Sequence, residues 1–207
     1  GYGSYLIPAV MMIIIFQTLL MVIGMVTGEE YSSKGIRAYT PFGYGWGVAI
    51  RIVAGKTSVY CALYAIFAFF LLGLLPHFFS IPNIGNGLYI VLMMIPYLLA
   101  TSFLGLAASR YFTDSEAPLL MIAFFSVGLI FLSGVSYPME LMPWYWKATH
   151  YILPAAPATL AFVQLNSMGA SMADIRPEYI TLWIQVLVYF ILSIWVYQKK
   201  LQKSQLR

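Results

Sequence analysis

The first long apolar segment decides the fold: residues 5–27 read YLIPAVMMIIIFQTLLMVIGMVT and carry no charged side chain. As an α-helix, a segment of this length crosses the hydrocarbon core of a bilayer, which is about 30 Å thick. Gly24 and Gly28 are spaced so that a second helix can approach closely. The segment therefore predicts a transmembrane helix, and the two glycines are either helix-packing residues or markers of the helix end.

Composition places the whole chain in the same class. Of its 207 residues, 61% are hydrophobic and 9% are charged, whereas soluble domains carry about 25% charged residues. We therefore expect one integral membrane domain, residues 1–207. The formal net charge of +4 comes from residues beside apolar segments, outside any nucleic-acid-binding motif. This favours lipid headgroups and no nucleic acid partner. Because Cys61 is the one cysteine, no intrachain disulfide can form.

Four further apolar segments follow the first, and together they predict the architecture. We place them at residues 57–79, 88–109, 117–136 and 179–197. Pro96 lies inside the third span and predicts a kink there. The predicted fold class is an all-α integral membrane protein with five transmembrane helices.

Positive charge orients these spans. The connection at residues 28–56, GEEYSSKGIRAYTPFGYGWGVAIRIVAGK, is basic and should face the cytoplasm. Five spans then place the C-terminus inside and Gly1 outside. Because the chain starts without an initiator Met and without a basic signal-peptide region, we expect a fragment that lacks an upstream helix. Nine of the 11 Lys and Arg residues lie on the predicted inner side: Lys34, Arg37, Arg51, Lys56, Arg110, Lys199, Lys200, Lys203 and Arg207.

The same connection contains a helical pattern. Trp46, Ile50 and Val53 are at helical spacing, which predicts a short amphipathic helix on the membrane surface or against a partner protein. Glu29 and Glu30 directly follow the first span, where the helix dipole disfavours carboxylates. Either a solvated helix end or a donor on a partner surface explains them, and the sequence leaves both open.

Residues 137–178 are too polar for a span and too apolar for a soluble loop. We predict a pair of short helices that dip into the outer leaflet, with Trp144 and Trp146 at the headgroup level. Pro143 and Pro157 suit first helical turns, and Gly169 suits a helix end.

Several chemistries find little support. Gly55-Lys56-Thr57 resembles the end of a phosphate-binding loop, but that motif needs Gly where this chain has Ile50. The five spans contain no Asp, Glu, Lys or Arg in their apolar stretches. Ion-driven transporters usually need such groups. Energy for uphill transport would therefore come from another subunit.

The remaining polar residues fit structural roles better than catalysis. His77 and His150 lack Cys, Asp or Glu at ligand spacing, so we interpret them as interfacial residues and predict no metal site. Asp114 and Glu116 fit a solvated turn that caps the fourth span. No His or Asp shares an element with the serines that could act as nucleophiles, Ser126, Ser133 and Ser136.

The order of these features resembles a known family. An acidic start to an inner connection (GEEYSSKGIR) and Gly55-Lys56 are followed by SGVSYPMELMPWYWKATHYILPAAPAT, residues 133–159. This pattern is similar to the membrane domain of ABC type-2 transporter permeases, in particular bacterial drug-exporter-like permeases. The resemblance covers essentially the whole chain, as the second to sixth helices of that family. The acidic start differs from the commoner Glu-Arg-Glu pattern, so the resemblance does not say which of Glu29 and Glu30 has the family role.

The resemblance implies an exporter subunit of the bacterial inner membrane without catalytic activity of its own. A cytoplasmic ABC ATPase would bind ATP and Mg, and two permease copies, identical or different, would surround a path lined by the first and fourth spans. The ATPase-coupling residues would be Glu29, Glu30, Lys34, Arg37, Arg51 and Lys56. The outer gate would be formed by Pro138, Met142, Pro143, Trp144, Trp146, Pro154 and Pro157. An ion-coupled secondary transporter or channel is the alternative.

Overall fold

A computed structural model describes residues 2–32, 43, 45–78, 84–111, 128–129, 131–135 and 141–205. Within these ranges the chain is helical and contains no β-strand, as predicted. We number six helices: α1 (Tyr2–Ser32), α2 (Trp46–Phe78), α3 (Gly87–Ala108), α4 (Trp144–Ile152), α5 (Ala155–Met168) and α6 (Arg176–Gln205).

Four of these helices are long and apolar enough to cross a membrane. Their apolar portions are Leu6–Glu30, Trp46–Phe78, Gly87–Ala108 and Arg176–Lys203. They correspond to the first, second, third and fifth predicted spans. The fourth predicted span, residues 117–136, lies outside the described residues except for 128–129 and 131–135.

The predicted connection at residues 28–56 has different bounds in the structure. Helix α1 continues through Ser32, so Glu29 and Glu30 belong to a helix. Helix α2 begins at Trp46 and runs without a break into the second span. The separate surface helix predicted after Trp46 was therefore wrong. A lysine at position 56 does not end the span, because its charge is paired with a carboxylate inside the protein.

The buried face of α2 also differs from the predicted one. Trp46 and Ile50 are exposed, whereas Val53 is buried. The helix buries Ala49, Val53, Thr57, Tyr60, Tyr64 and Ala68. The prediction assigned Trp46 and Ile50 to the buried face because they are large and apolar. In a membrane protein such residues can face lipid instead.

A π-helical segment at Phe69–Leu74 widens the second half of α2. It is followed by one more α-helical turn, Leu75–Phe78, which contains Pro76. Proline has no backbone N–H and disturbs the regular hydrogen-bond ladder around it. Gly73 within the segment and Pro76 just after it were sequence signals for this irregularity, and our prediction did not use them.

Helix α3 is the central helix and packs against α1, α2, α5 and α6. In its most apolar 18-residue stretch, 61% of the residues are buried, compared with 22% in the corresponding stretch of α2. The Tyr97 hydroxyl donates a 2.6 Å hydrogen bond to the Met12 carbonyl of α1. A Cβ added to Gly105 would lie 3.0 Å from Ile23 of α1, so a small residue is needed here. Gly24 and Gly28, the predicted packing glycines, are also buried.

Helices α4 and α5 form the pair of short helices that the prolines predicted. Pro143 precedes α4, and Pro157 lies in the first turn of α5. Gly169 ends α5 with φ +65°, the left-handed conformation that glycine adopts most easily. Helix α5 packs against α1, α3 and α6. Its alanines Ala155, Ala156, Ala158 and Ala161 are buried and let these helices come close.

Candidate functional site

One end of the bundle holds a polar cluster that connects all four long helices. Lys56 of α2 forms an ion pair with Glu30 of α1, and both side chains are largely buried, with 13% and 22% of their surface exposed. Because α1 and α2 are antiparallel neighbours in sequence, this pair fixes the last turns of one against the first turns of the other. We call this end of the bundle the basic end.

Helix α6 joins the pair through Lys200. Its ammonium group donates to the Ser109 carbonyl at 3.1 Å and lies 2.9 Å from the Ser109 hydroxyl, at the end of α3. Both lysines lie near the Tyr197 ring of α6, whose centroid is 5.4 Å from the Lys56 Nζ and 5.2 Å from the Lys200 Nζ. We call Glu30, Lys56, Ser109, Tyr197 and Lys200 the basic-end cluster.

A second aromatic contact supports the same end. The Lys199 Nζ lies 3.7 Å from the centroid of the Trp195 ring, and the Arg110 guanidinium lies 5.8 Å from it. Cations over an indole face are stabilised by its electron density. This contact attaches the end of α3 to α6 a second time. Our sequence analysis ended the fifth span at residue 197, whereas helix α6 continues through Lys199 and Lys200.

The opposite end of the bundle contains the α4–α5 hairpin, and we call it the hairpin end. The last carbonyls of α4 have no partners within their own helix. Gln185 of α6 donates to the Tyr151 carbonyl at 2.6 Å, and the Tyr189 hydroxyl donates to the Ile152 carbonyl. Helix α6 therefore caps α4 with two neutral side chains, which our sequence analysis missed because it searched the spans for charged residues only.

These bonds place the hairpin turn beside the middle of α6. Tyr189 follows Arg176, the first residue of α6, by about 20 Å along the helix axis at 1.5 Å per residue. The turn at Leu153 and Pro154 is thus far from both ends of α6. The last two carbonyls of α4 therefore have their hydrogen-bond partners inside the protein.

His150 attaches α4 to the segment before it. Its Nδ1 lies 2.8 Å from the Leu132 carbonyl. A carbonyl only accepts, so Nδ1 carries the proton. The residue is 1% exposed, and burial lowers the pKa of the imidazole. His150 is thus buried inside the protein, whereas His77 is exposed at the end of α2, and the interfacial location of both histidines stays a prediction.

Comparison with known families identifies the chain. The sequence model of the ABC-2 family transporter proteins matches residues 1–195. The chain belongs to this family. Proteins of this family are ABC transporter permeases, the membrane-embedded components that act in transport. A search of curated proteins and a search of solved structures gave no significant match.

The coupling residues predicted for this ABC-2 permease do not share one environment. Glu30 and Lys56 are in the basic-end cluster, whereas Glu29 and Arg51 are exposed. Lys34 and Arg37 lie outside the described residues. The structure thus separates an interior pair from groups on the surface.

The gate residues predicted for the permease divide in the same way. Met142, Pro154 and Pro157 are buried, and Pro138 lies outside the described residues. Pro143 is exposed, and Trp144 and Trp146 are 80% and 41% exposed. The tryptophans therefore lie on the outside of the permease fold, and the buried residues lie where α4 and α5 meet the core.

Hydrogen bonds at two places stabilise the hairpin end of the permease. The Ile84 N–H donates to the Asn166 carbonyl at 3.1 Å, which joins the start of α3 to the end of α5. The Ser171 N–H and hydroxyl both donate to Asp174, at 2.8 and 2.7 Å. These bonds lower the pKa of the Asp174 carboxyl. The turn between α5 and α6 is thus ordered by its own polar groups.

Proposed function

We propose that this chain is the transmembrane subunit of an ATP-driven exporter that moves an apolar or amphipathic substrate outward across the bacterial inner membrane. A cytoplasmic ABC ATPase would bind ATP and Mg and supply the energy, and a second permease copy would complete the path. Family membership supports the permease role, and the basic-end cluster supports coupling to a motor.

The basic-end cluster carries this proposal. Glu30 and Lys56 join α1 to α2, Ser109 and Lys200 join α3 to α6, and the Tyr197 ring lies near both lysines and links the two pairs. A protein that pushes on the ends of α1 and α2 therefore moves the other two helices with them. Positive charge is concentrated at this end, which favours a cytoplasmic location. Glu29 is exposed at this end, where the ATPase would contact the permease, and the buried pair would transmit the movement.

We propose that the α4–α5 hairpin is re-entrant and forms the outer gate. Its turn lies beside the middle of α6, and its carbonyls are capped by Gln185 and Tyr189. Irregular backbone at membrane depth is tolerated where protein covers it. Breaking these two hydrogen bonds would release the end of α4 from α6, and this is the movement we assign to opening.

Co-purification and transport together test the coupling role. The tagged permease is purified from its native membrane, and ATP-dependent substrate uptake is measured in inverted vesicles. We expect an ABC ATPase to co-purify with the wild-type protein. The variant Glu29→Lys/Glu30→Gln should lose most ATP-dependent transport, because its contact surface changes sign and its interior pair is broken. Glu178→Lys, at the hairpin end, is the matched control and should retain the ATPase.

Two results would contradict the proposal. Flux that persists without any ATPase and follows an imposed ion gradient would favour a secondary transporter or channel. Equal loss of the ATPase in the Glu178→Lys control would show that the basic end has no special role. Thermal unfolding of each variant in detergent identifies any loss that is caused by misfolding.

A further inference from the structure

A groove of about 760 Å³ opens between the last turns of α1 and the first turns of α2. Its walls are apolar and include Val26 of α1 and Val48, Ile52 and Val59 of α2. Val26 and Val59 are 39% and 57% exposed, so the groove is open at the side of the bundle. An apolar surface on helices long enough to cross a membrane is suited to contact with acyl chains.

Charged groups line the groove as well as these apolar walls. Arg51 and Lys56 contribute two positive charges and Glu30 contributes one negative charge. The Glu30 carboxylate is paired with Lys56. Arg51 is exposed, and the part of the chain that the structure describes offers its guanidinium no acidic partner. The groove therefore has a net positive charge beside an apolar wall.

We propose that this groove binds one anionic phospholipid, with its phosphate at Arg51 and an acyl chain along Val26, Ile52 and Val59. A guanidinium binds phosphate oxygens with two parallel hydrogen bonds. Basic pockets between transmembrane helices bind anionic headgroups in this way. The lipid would also cover the ion pair of Glu30 and Lys56 from the bilayer side.

The composition of the groove favours lipid over a protein occupant. A docking segment of a soluble ATPase would meet mostly apolar walls on the side that faces the bilayer. A second permease copy would bring its own Arg51 if it paired through the same surface, and two like charges would then meet. A lipid satisfies both the positive charge and the apolar wall. The lipid site does not require ATP-driven export, so either proposal can fail alone.

Native mass spectrometry of the purified full-length chain tests the site. The protein is titrated with phosphatidylglycerol or phosphatidylcholine that have the same acyl chains. We expect one phosphatidylglycerol per chain, bound about tenfold more tightly than phosphatidylcholine, because Arg51 and Lys56 attract the headgroup and the Glu30 carboxylate offsets part of that attraction. Arg51→Gln should reduce this preference to about twofold. Val59→Trp, at an exposed position, should fill the groove and weaken binding of both lipids.

Arg110→Gln is the matched control, because Arg110 is exposed at the same end but does not line the groove. It should keep the tenfold preference. An equal loss in both arginine variants would show diffuse attraction and overturn the proposal, as would a wild-type protein that binds the two lipids equally. Disulfide-linked dimers of Val59→Cys in a Cys61→Ser background would show that a second copy occupies the groove, which also contradicts the proposal.

Discussion

The two ends of the helix bundle are held by different kinds of interaction. Of the described residues, the basic end has six cations (Arg51, Lys56, Arg110, Lys199, Lys200 and Lys203) and two carboxylates (Glu29 and Glu30), a net charge of +4. The hairpin side has Lys147 and Arg176 against Asp174 and Glu178, a net charge of zero. Charges across helices hold the first end, and neutral hydrogen bonds to backbone carbonyls hold the second.

This difference suggests that the two ends respond differently when the helices move. An ion pair acts over several ångströms and tolerates small displacements, so it can hold helix ends together while they move. A hydrogen bond to a carbonyl weakens steeply when its angle changes. The hairpin end is thus suited to two states, in which its hydrogen bonds to α6 are either formed or broken. The following predictions test this contrast.

The largest effect is expected at the basic end. Glu30→Lys would place a third cation beside Lys56 and Lys200 and should lower the free energy of unfolding by about 3–5 kcal/mol. Unfolding in mixed detergent micelles measures this change. Adding Lys56→Glu should restore at least half of the loss. Glu29→Lys, at the exposed neighbouring position, should cost about 1 kcal/mol or less. A similar cost at both positions would contradict the interior role of Glu30.

The second effect is expected at the hairpin. The double variant Gln185→Leu/Tyr189→Phe leaves two carbonyls of α4 without donors and should lower the free energy of unfolding by about 2 kcal/mol. It should also increase the rate at which a cysteine placed in α4 reacts with a water-soluble reagent. Gln202→Leu/Tyr179→Phe makes the same two exchanges elsewhere on α6. If both double variants behave alike, the capping role is wrong.

A smaller effect is expected where α5 ends. Gly169 has φ +65°, and alanine in this conformation costs about 1 kcal/mol. Gly169→Ala should therefore reduce the stability measured in the same micelles by that amount. Gly87→Ala introduces the same methyl group where no atom lies within 4 Å. It should leave stability unchanged or slightly increased, and a loss there would show that the added methyl group, not φ, is responsible.

The smallest expected effect is the change that salt makes to the coupling energies at the two ends. A double-mutant cycle over Glu30 and Lys56 should give a coupling energy that falls by about 0.5 kcal/mol between 0.05 M and 1 M NaCl, because the Debye length shrinks to about 3 Å. The change is small because the pair is mostly buried. The cycle over Gln185 and Tyr189 contains no charge and should not change. A salt-dependent hairpin would remove the distinction between the ends.

Much of the architecture follows from local sequence. Long uncharged segments specify membrane helices, because the backbone must satisfy its own hydrogen bonds in lipid. The prolines at 143 and 157 and the glycine at 169 locate the short helices, because each restricts or permits a particular backbone conformation. The family resemblance rests in part on the segment that contains these two prolines, and the family match over residues 1–195 confirms it.

The tertiary structure decided which charges are interior and which residues cap the hairpin. Lys56 resembled the end of a loop in the sequence, but Glu30 of another helix neutralises it and lets α2 continue. Gln185 and Tyr189 looked like ordinary residues of a span until the end of α4 was placed beside them. Sequence determines what a segment can do with its own backbone and with lipid. The partner of a buried polar group depends on distant residues, so only the folded chain reveals it.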